Sequence, residues 1–221
     1  MNTTNTLTTI TPLLDRLFAE AEAESPATSP AVADVFADHE RLMRSKTEYL
    51  DFYGRLKDFP LAVSRETGRL LYILARSTRA KNVVEFGTSF GISTLHLAAA
   101  LRDNGGGRLI TSEFEPSKIA RAREHLAEGG LIDLVEFREG DAVQTLATNL
   151  PESIDLLLLD GAKSLYNDIL DLVEPRLHAG SLIIADNADY SPDYLERVRD
   201  SREDYLSVPF GEDVELSIRI R

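Results

Sequence analysis

The chain has no cysteine among its 221 residues, which excludes a disulfide framework, a thiolate zinc site and a nucleophilic thiol together. It also lacks an apolar run of about 20 residues, the length needed to span a bilayer. Its first residues, Met1 to Thr11, are rich in threonine and asparagine and carry neither the basic region nor the apolar core of a targeting signal. A cytoplasmic protein with no membrane partner is expected. Positive charge is scarce: 24 Lys and Arg stand against 37 Asp and Glu, a formal net charge of -13. Lys and Arg supply most of the affinity for phosphate backbones, so a nucleic-acid substrate is disfavoured. One local basic cluster remains, Arg65, Arg69, Arg76, Arg79 and Lys81, and its simplest reading is a solvated helix face.

What is present points to a single α/β domain. At 43% hydrophobic residues the chain can bury one substantial core. Residues 1–59 read as a helical N-terminal extension, a lid or oligomer surface with a mobile start, and residues 60–221 as the main domain. The Glu24-to-Pro30 stretch, with prolines at 26 and 30, breaks any helix begun at Leu13. From Ala31 to Phe59 apolar residues recur at roughly helical spacing, and Ser64 and Glu66 lead into a further helix ending near Ser77. Beyond it, short apolar strands at Val83–Phe86, Arg108–Ser112, Val135–Phe137, Ile154–Leu159 and Leu182–Ala185 alternate with helical stretches. That alternation predicts a parallel sheet covered on both faces. Tyr205–Val208, a turn at Pro209-Phe210-Gly211, and Val214–Ile220 read as an antiparallel hairpin joined to it.

The chemistry-bearing residues fall at the ends of these strands. Glu85-Phe86-Gly87-Thr88-Ser89-Phe90-Gly91 follows a strand and precedes a helix near Ser93, a place where backbone approaches a ligand closely. Its G-x-x-x-G spacing is neither the dinucleotide fingerprint nor a phosphate loop. It suits a cofactor without pyrophosphate, such as S-adenosylmethionine. Glu113, at the end of the second strand, is placed to accept hydrogen bonds from ribose hydroxyls, with Glu115 the competing candidate. Asp141, after Gly140 and before Ala142, can meet an adenine amino group or cap a helix. Glu85 is expected to turn back into the loop and receive an ammonium, directly or through water.

Two further strands end in Leu159-Asp160-Gly161-Ala162-Lys163 and Ala185-Asp186-Asn187. Neighbouring carboxylates repel unless a proton or cation sits between them. Oxygen ligands alone favour a hard ion, Mg²⁺ or else Ca²⁺ or Mn²⁺, with open positions for water or for a substrate bearing two adjacent oxygens. Lys163, three residues after Asp160, can act as general base if its pKa falls. The four histidines, His39, His96, His125 and His178, fall on expected helices without metal-ligand spacing and receive no role.

Taken together, the Glu85-to-Ser93 segment, Gly140-Asp141-Ala142, Asp160-to-Lys163 with Tyr166, and Gly180 through Asp186-Asn187 resemble the cation-dependent O-methyltransferases, the family that includes catechol and caffeoyl-CoA O-methyltransferases. The resemblance covers roughly residues 60 to 221. It implies a Rossmann-like seven-stranded methyltransferase sheet, mostly parallel with an antiparallel C-terminal strand. It also implies metal ligands at Asp160, Asp186 and Asn187, and a catalytic Lys163. For S-adenosylmethionine it implies Val63, Glu85, Gly87, Ser93, Glu113, Asp141, Ala142 and Asp160. A homodimer is a further expectation of the same kind. The implied reaction is methyl transfer to a hydroxyl of a small catechol-like acceptor, with methylation of a hydroxylated transfer-RNA base as the alternative. The chain departs from the pattern just after Asp186-Asn187, where Tyr190 is the residue available to stand in for a missing aromatic.

Overall fold

The computed structural model describes residues 5–221. Asn5 opens it by accepting a hydrogen bond from Thr8 N at 2.8 Å, which caps helix α1, Thr6–Ala23. The sequence expectation of a mobile start concerned in part Met1–Thr4, which lie outside the described residues. From Thr6 the chain is helical, against that expectation. Pro12 lies within α1 without ending it, because Ile10, Leu13, Leu14, Leu17 and Phe18 line one face and bury against the helices covering the sheet. Over residues 31–59, read as helical, come three short helices: α2 (Ala33–Phe36), α3 (His39–Met43) and α4 (Tyr49–Arg55). They share a small cluster of Val32, Val35, Phe52 and Leu56, separate from the main core.

Helix α5 (Arg65–Ser77) starts as read, with Ser64 Oγ accepting from Thr67 N at 3.0 Å. Strand β1 (Asn82–Phe86), helix α6 (Ile92–Asp103), strand β2 (Arg108–Glu113), helix α7 (Pro116–Glu128), strand β3 (Val135–Glu139) and the short helix α8 (Ala142–Thr145) follow. Then come β4 (Ile154–Leu159), α9 (Tyr166–Val173), β5 (Leu177–Ala185), α10 (Pro192–Asp200), β6 (Tyr205–Phe210) and β7 (Val214–Arg219). They form one seven-stranded sheet in the order β3-β2-β1-β4-β5-β7-β6, in which β7 pairs antiparallel with both neighbours and the other pairs are parallel. The antiparallel C-terminal strand is as read. The turn is not: Pro209 and Phe210 belong to β6, paired with Glu215 and Val214. Because β6 is the sheet edge, Pro209 can stay in a strand despite having no N–H to donate. No helix of the described residues is long and apolar enough to cross a membrane.

The central strands are apolar on both faces because both faces are covered. Leu156 and Leu158 pack toward one helical layer, and Leu157 and Leu159 toward the other. Helices α5 and α6 approach closely at Gly68, where a Cβ would lie 2.6 Å from His96 Cε1. His96, nearly inaccessible, donates from Nδ1 to Ile92 O at 2.8 Å and lies tilted against the Phe18 ring at 6.1 Å. Burial, helped by the charge of Arg69, lowers its pKa to about 4. A histidine with a lowered folded pKa contributes fully above its unfolded value of about 6.5, and that contribution is lost as pH falls toward 4. Between pH 7 and 4 the protein is expected to lose roughly 3 kcal/mol that the His96→Asn variant does not lose. Urea midpoints measured across that range check this. Parallel profiles for the two proteins would contradict it.

Candidate active site

The candidate residues stand along the carboxyl edge of the sheet, where open α/β folds place ligands. The ladder carries on for one residue beyond each strand and holds them there. Gly87 N donates to Ser112 O at 3.1 Å, Gly140 N to Glu113 O at 2.9 Å, Asp160 N to Phe86 O at 2.8 Å, and Asp186 N to Leu159 O at 2.9 Å. The loops after β1 and β4 are in backbone contact: a Cβ on Gly87, whose φ is +100°, would lie 2.6 Å from Gly161 N. A Cβ on Gly161 would in turn enter the Phe86 ring. Both glycines are therefore needed for the two loops to pack against each other at the sheet edge.

Two clefts open there. The first, of about 600 Å³, is lined by Gly87, Glu113, Gly140, Asp141, Ala142 and Asp160 from the sequence-derived set. Glu113 accepts from Ser89 N at 2.9 Å and from the amides of Phe114 and Glu115, which fixes its carboxylate at the cleft wall. Glu115 instead caps α7 by accepting from Ser117, which separates the two competitors. Asp141 both lines the cleft and caps α8 through Val143 N at 3.0 Å, so its two readings coexist. Val63 is buried, and Leu61 is the residue from its segment that lines the cleft.

Glu85 departs from its expected place. It is fully buried and accepts hydrogen bonds from Ser93 Oγ at 2.6 Å and Thr94 Oγ1 at 2.7 Å. Burial raises its pKa to about 7, against the opposing effect of the hydroxyls. It lies behind the loop, with Ser93 between it and a small neighbouring hollow.

The second cleft, about 830 Å³, is lined by Asp160, Lys163, Asp186, Asn187 and Tyr190, together with residues of the N-terminal helices. Tyr190, the stand-in aromatic, does line it, and Arg44 lies over its ring at 5.6 Å. Asp160, Tyr53 and Leu61 line both clefts. Lys163, 3% exposed, donates to Asp160 Oδ1 at 2.8 Å. Burial alone would lower its pKa, but the negative charges of Asp160 and Asp186 and the neighbouring tyrosines outweigh it and raise the value well above normal. The sequence-based condition for a base, a lowered pKa, is thus not met while both carboxylates face it. Asp186, 7% exposed, is pushed up to about 8, first by burial and then by the charge of Asp160. Its backbone carbonyl accepts from Tyr166 Oη at 2.6 Å, which ties the end of β5 to α9. Asn187 takes the left-handed conformation at φ +47°, and its Nδ2 donates to Asp213 Oδ2 at 2.7 Å. That leaves the amide oxygen as its free end.

Among the described residues no group of three or more His, Cys, Asp or Glu side chains gathers as a metal site. Here two carboxylates are joined by an amide oxygen. A buried carboxyl raised by its acidic neighbour fits the all-oxygen donor set that a hard divalent ion prefers.

Several lining residues escaped the sequence reading. Tyr49, Tyr53, Phe114 and Lys118 line the first cleft, and Phe36, His39 and Phe52 the second. His39, assigned no role, stacks on Phe36 at 4.6 Å. His178 lies on β5 rather than on a helix. Lys118, 3% exposed, donates to Ser89 Oγ at 3.5 Å and lies over the Phe90 ring at 5.8 Å, and burial lowers its pKa. Within the basic cluster, Arg65 pairs with Asp15 at 2.7 Å, and Lys81 is bonded to the carbonyls of Asn104 and Gly106.

The methyltransferase-domain family pattern matches residues 84–188. A catechol O-methyltransferase of Niastella koreensis is 35% identical over 130 residues, 58% of this chain and 58% of that protein. Catechol O-methyltransferase B of Danio rerio is 34% identical over 176 residues, 76% of this chain and 66% of its own length. The chain thus matches the first of these relatives over a little more than half their length. The Streptomyces achromogenes O-methyltransferase involved in tomaymycin synthesis, solved in complex with S-adenosylmethionine, superposes with a TM-score of 0.66 at 26% identity. That superposition covers 88% of this chain and 100% of the other.

Proposed function

Because the chain belongs to the class I S-adenosylmethionine-dependent O-methyltransferases, we propose that it moves the methyl group of that cofactor onto a hydroxyl of a small catechol-like acceptor. The observation that carries this reading is the wall shared by the two clefts, with Asp160 between the cofactor side and the Lys163 side. A donor held in one cleft and an acceptor in the other would meet across that residue. Holding two reactants as near-attack neighbours removes on the order of 7–11 kcal/mol from a barrier, so little covalent help from the protein is required.

On the cofactor side, Glu113 binds the ribose hydroxyls and Asp141 the adenine amino group. Gly87 admits the methionyl chain close to the backbone. On the acceptor side, Asp160, Asp186 and Asn187 would hold a divalent ion, Mg²⁺ before Ca²⁺ or Mn²⁺. When bound, such an ion would supply Lewis acidity that lowers the pKa of an acceptor hydroxyl held beside these residues. Lys163 Nζ takes that hydroxyl's proton. With both carboxylates engaged elsewhere, burial becomes the dominant influence on Lys163 and favours its neutral form. The segment bearing α2 to α4 closes over the acceptor and excludes water.

Methyl transfer from S-adenosylmethionine to a panel of catechols that includes caffeate, followed by mass spectrometry with Mg²⁺ and with excess chelator, tests this reading. Transfer is expected with the ion and not with the chelator. Lys163→Ala should reduce turnover by roughly 10²- to 10⁴-fold if the lysine is the general base. Turnover unaffected by the chelator would remove the cation from the proposal, and an unchanged Lys163→Ala would remove the base.

A further inference from the structure

Tyr53, on α4, carries a hydroxyl that the Lys163 backbone N–H approaches without completing a hydrogen bond, and that has no acceptor for its own proton among the described residues. Its ring meets Phe52 edge-on at 4.9 Å, while Oη is buried and makes no hydrogen bond among the described residues. Buried hydroxyls are nearly always satisfied, and leaving one unpaired costs free energy. Among the described residues one other side chain shares this condition, Tyr194, which belongs to α10, is enclosed in the core and lines neither cleft. Tyr53 by contrast is one of three residues, with Leu61 and Asp160, that line both clefts. The side chain that carries the orphaned oxygen therefore forms part of the wall across which the two reactants would meet.

We propose that Tyr53 is a substrate-binding residue whose Oη donates a hydrogen bond to an oxygen of the acceptor, the one adjacent to the hydroxyl being methylated. The inference rests on the function proposed above and adds to it a contact from the N-terminal segment. A neutral phenol has one O–H to give, so its partner must carry a lone pair, as a vicinal phenolic or carbonyl oxygen does. The acceptor side is favoured over the cofactor because the charged and polar groups surrounding the hydroxyl include Lys163 and Tyr190, which line the second cleft alone. An acceptor bound in this way satisfies the buried hydroxyl and at the same time fastens α4 down over the site. Acceptors with a single isolated hydroxyl would leave Oη unpaired and bind less well.

Tyr53→Phe removes only the oxygen. Three quantities are to be compared in the full chain with and without it: the thermal midpoint without ligands, the affinity for S-adenosylhomocysteine by calorimetry, and kcat and KM for a catechol that the parent methylates. The variant is expected to melt at the same temperature or higher, because an unsatisfied polar atom has gone. It should bind S-adenosylhomocysteine within about twofold of the parent and show an acceptor KM raised roughly tenfold, the loss of one hydrogen bond. A lower midpoint would mean that the hydroxyl already has a structural partner, and would overturn the proposal. So would unchanged acceptor kinetics, or a loss confined to cofactor affinity. A parent protein inactive on every catechol would instead overturn the acceptor class and this inference with it, a pattern distinct from an active parent matched by its variant.

Discussion

Asp160→Ala is expected to lower kcat/KM for methyl transfer by at least about 10³-fold and to destabilise the fold as well. The activity loss follows from its position on the wall between the two clefts, where one carboxylate contributes to both. The stability loss follows from Lys163, whose buried ammonium donates to Asp160 Oδ1 at 2.8 Å. Breaking a buried pair from one side strands the other charge, at a cost of about 3–5 kcal/mol. Urea denaturation and a methyl-transfer assay on the same preparation measure the two effects. Turnover within tenfold of the parent would remove Asp160 from the reacting centre, and an unchanged urea midpoint would show that Lys163 is compensated by another group.

Asp186→Asn is expected to have opposite effects on activity and stability. Turnover should fall by roughly 10²- to 10³-fold, because a neutral amide is a poor substitute for a carboxylate facing a cation. The ligand-free variant should nevertheless be the more stable protein near neutral pH. The folded pKa of Asp186, about 8, lies above its unfolded value, so its contribution is fully present below the unfolded pKa and is lost as pH rises through 8. The asparagine does not titrate. The stability gap between variant and parent should therefore be small near pH 4 and largest at pH 8 and above. Saturating Mg²⁺ should narrow it by stabilising the parent alone. Thermal midpoints across pH, with and without the ion, provide the test. A variant less stable than its parent at pH 8 would show that the carboxylate is held by favourable partners and is not under strain from Asp160.

The strands of the main sheet were legible because burial on both faces removes polar alternation, as in Leu156-Leu157-Leu158-Leu159, and because glycine and acidic residues punctuate their ends. Ser64 announced α5 through a local rule that needs only four residues. The start of helix α1 was read as mobile although Ile10, Leu13, Leu14, Leu17 and Phe18 keep helical spacing. The Thr- and Asn-rich start argued locally against a helix, and the packing that overrides it comes from α6. The turn expected at Pro209 was misplaced for a related reason: whether proline ends a strand depends on whether that strand is at the sheet edge. In the site, each residue that follows a strand directly could be found by its position along the chain. Tyr53, Lys118 and His39 could not, since an aromatic, a lysine or a histidine on a helix acquires its role only from what the fold places opposite it.

The strand order also bears on how the protein is made. β1 lies inside the sheet beside its middle strand, β4, and that partner is translated about 70 residues later, with Val83 finally opposite Leu156. At typical synthesis rates of about 5–20 residues per second, the apolar edge of β1 waits on the order of 4–14 s for that neighbour. During this interval the nascent chain presents an unpaired, Val-rich strand edge that other chains can join. Yield of the intact protein should therefore depend on translation speed and on chaperone supply at that stage, even for substitutions in β4 that leave the finished fold unharmed.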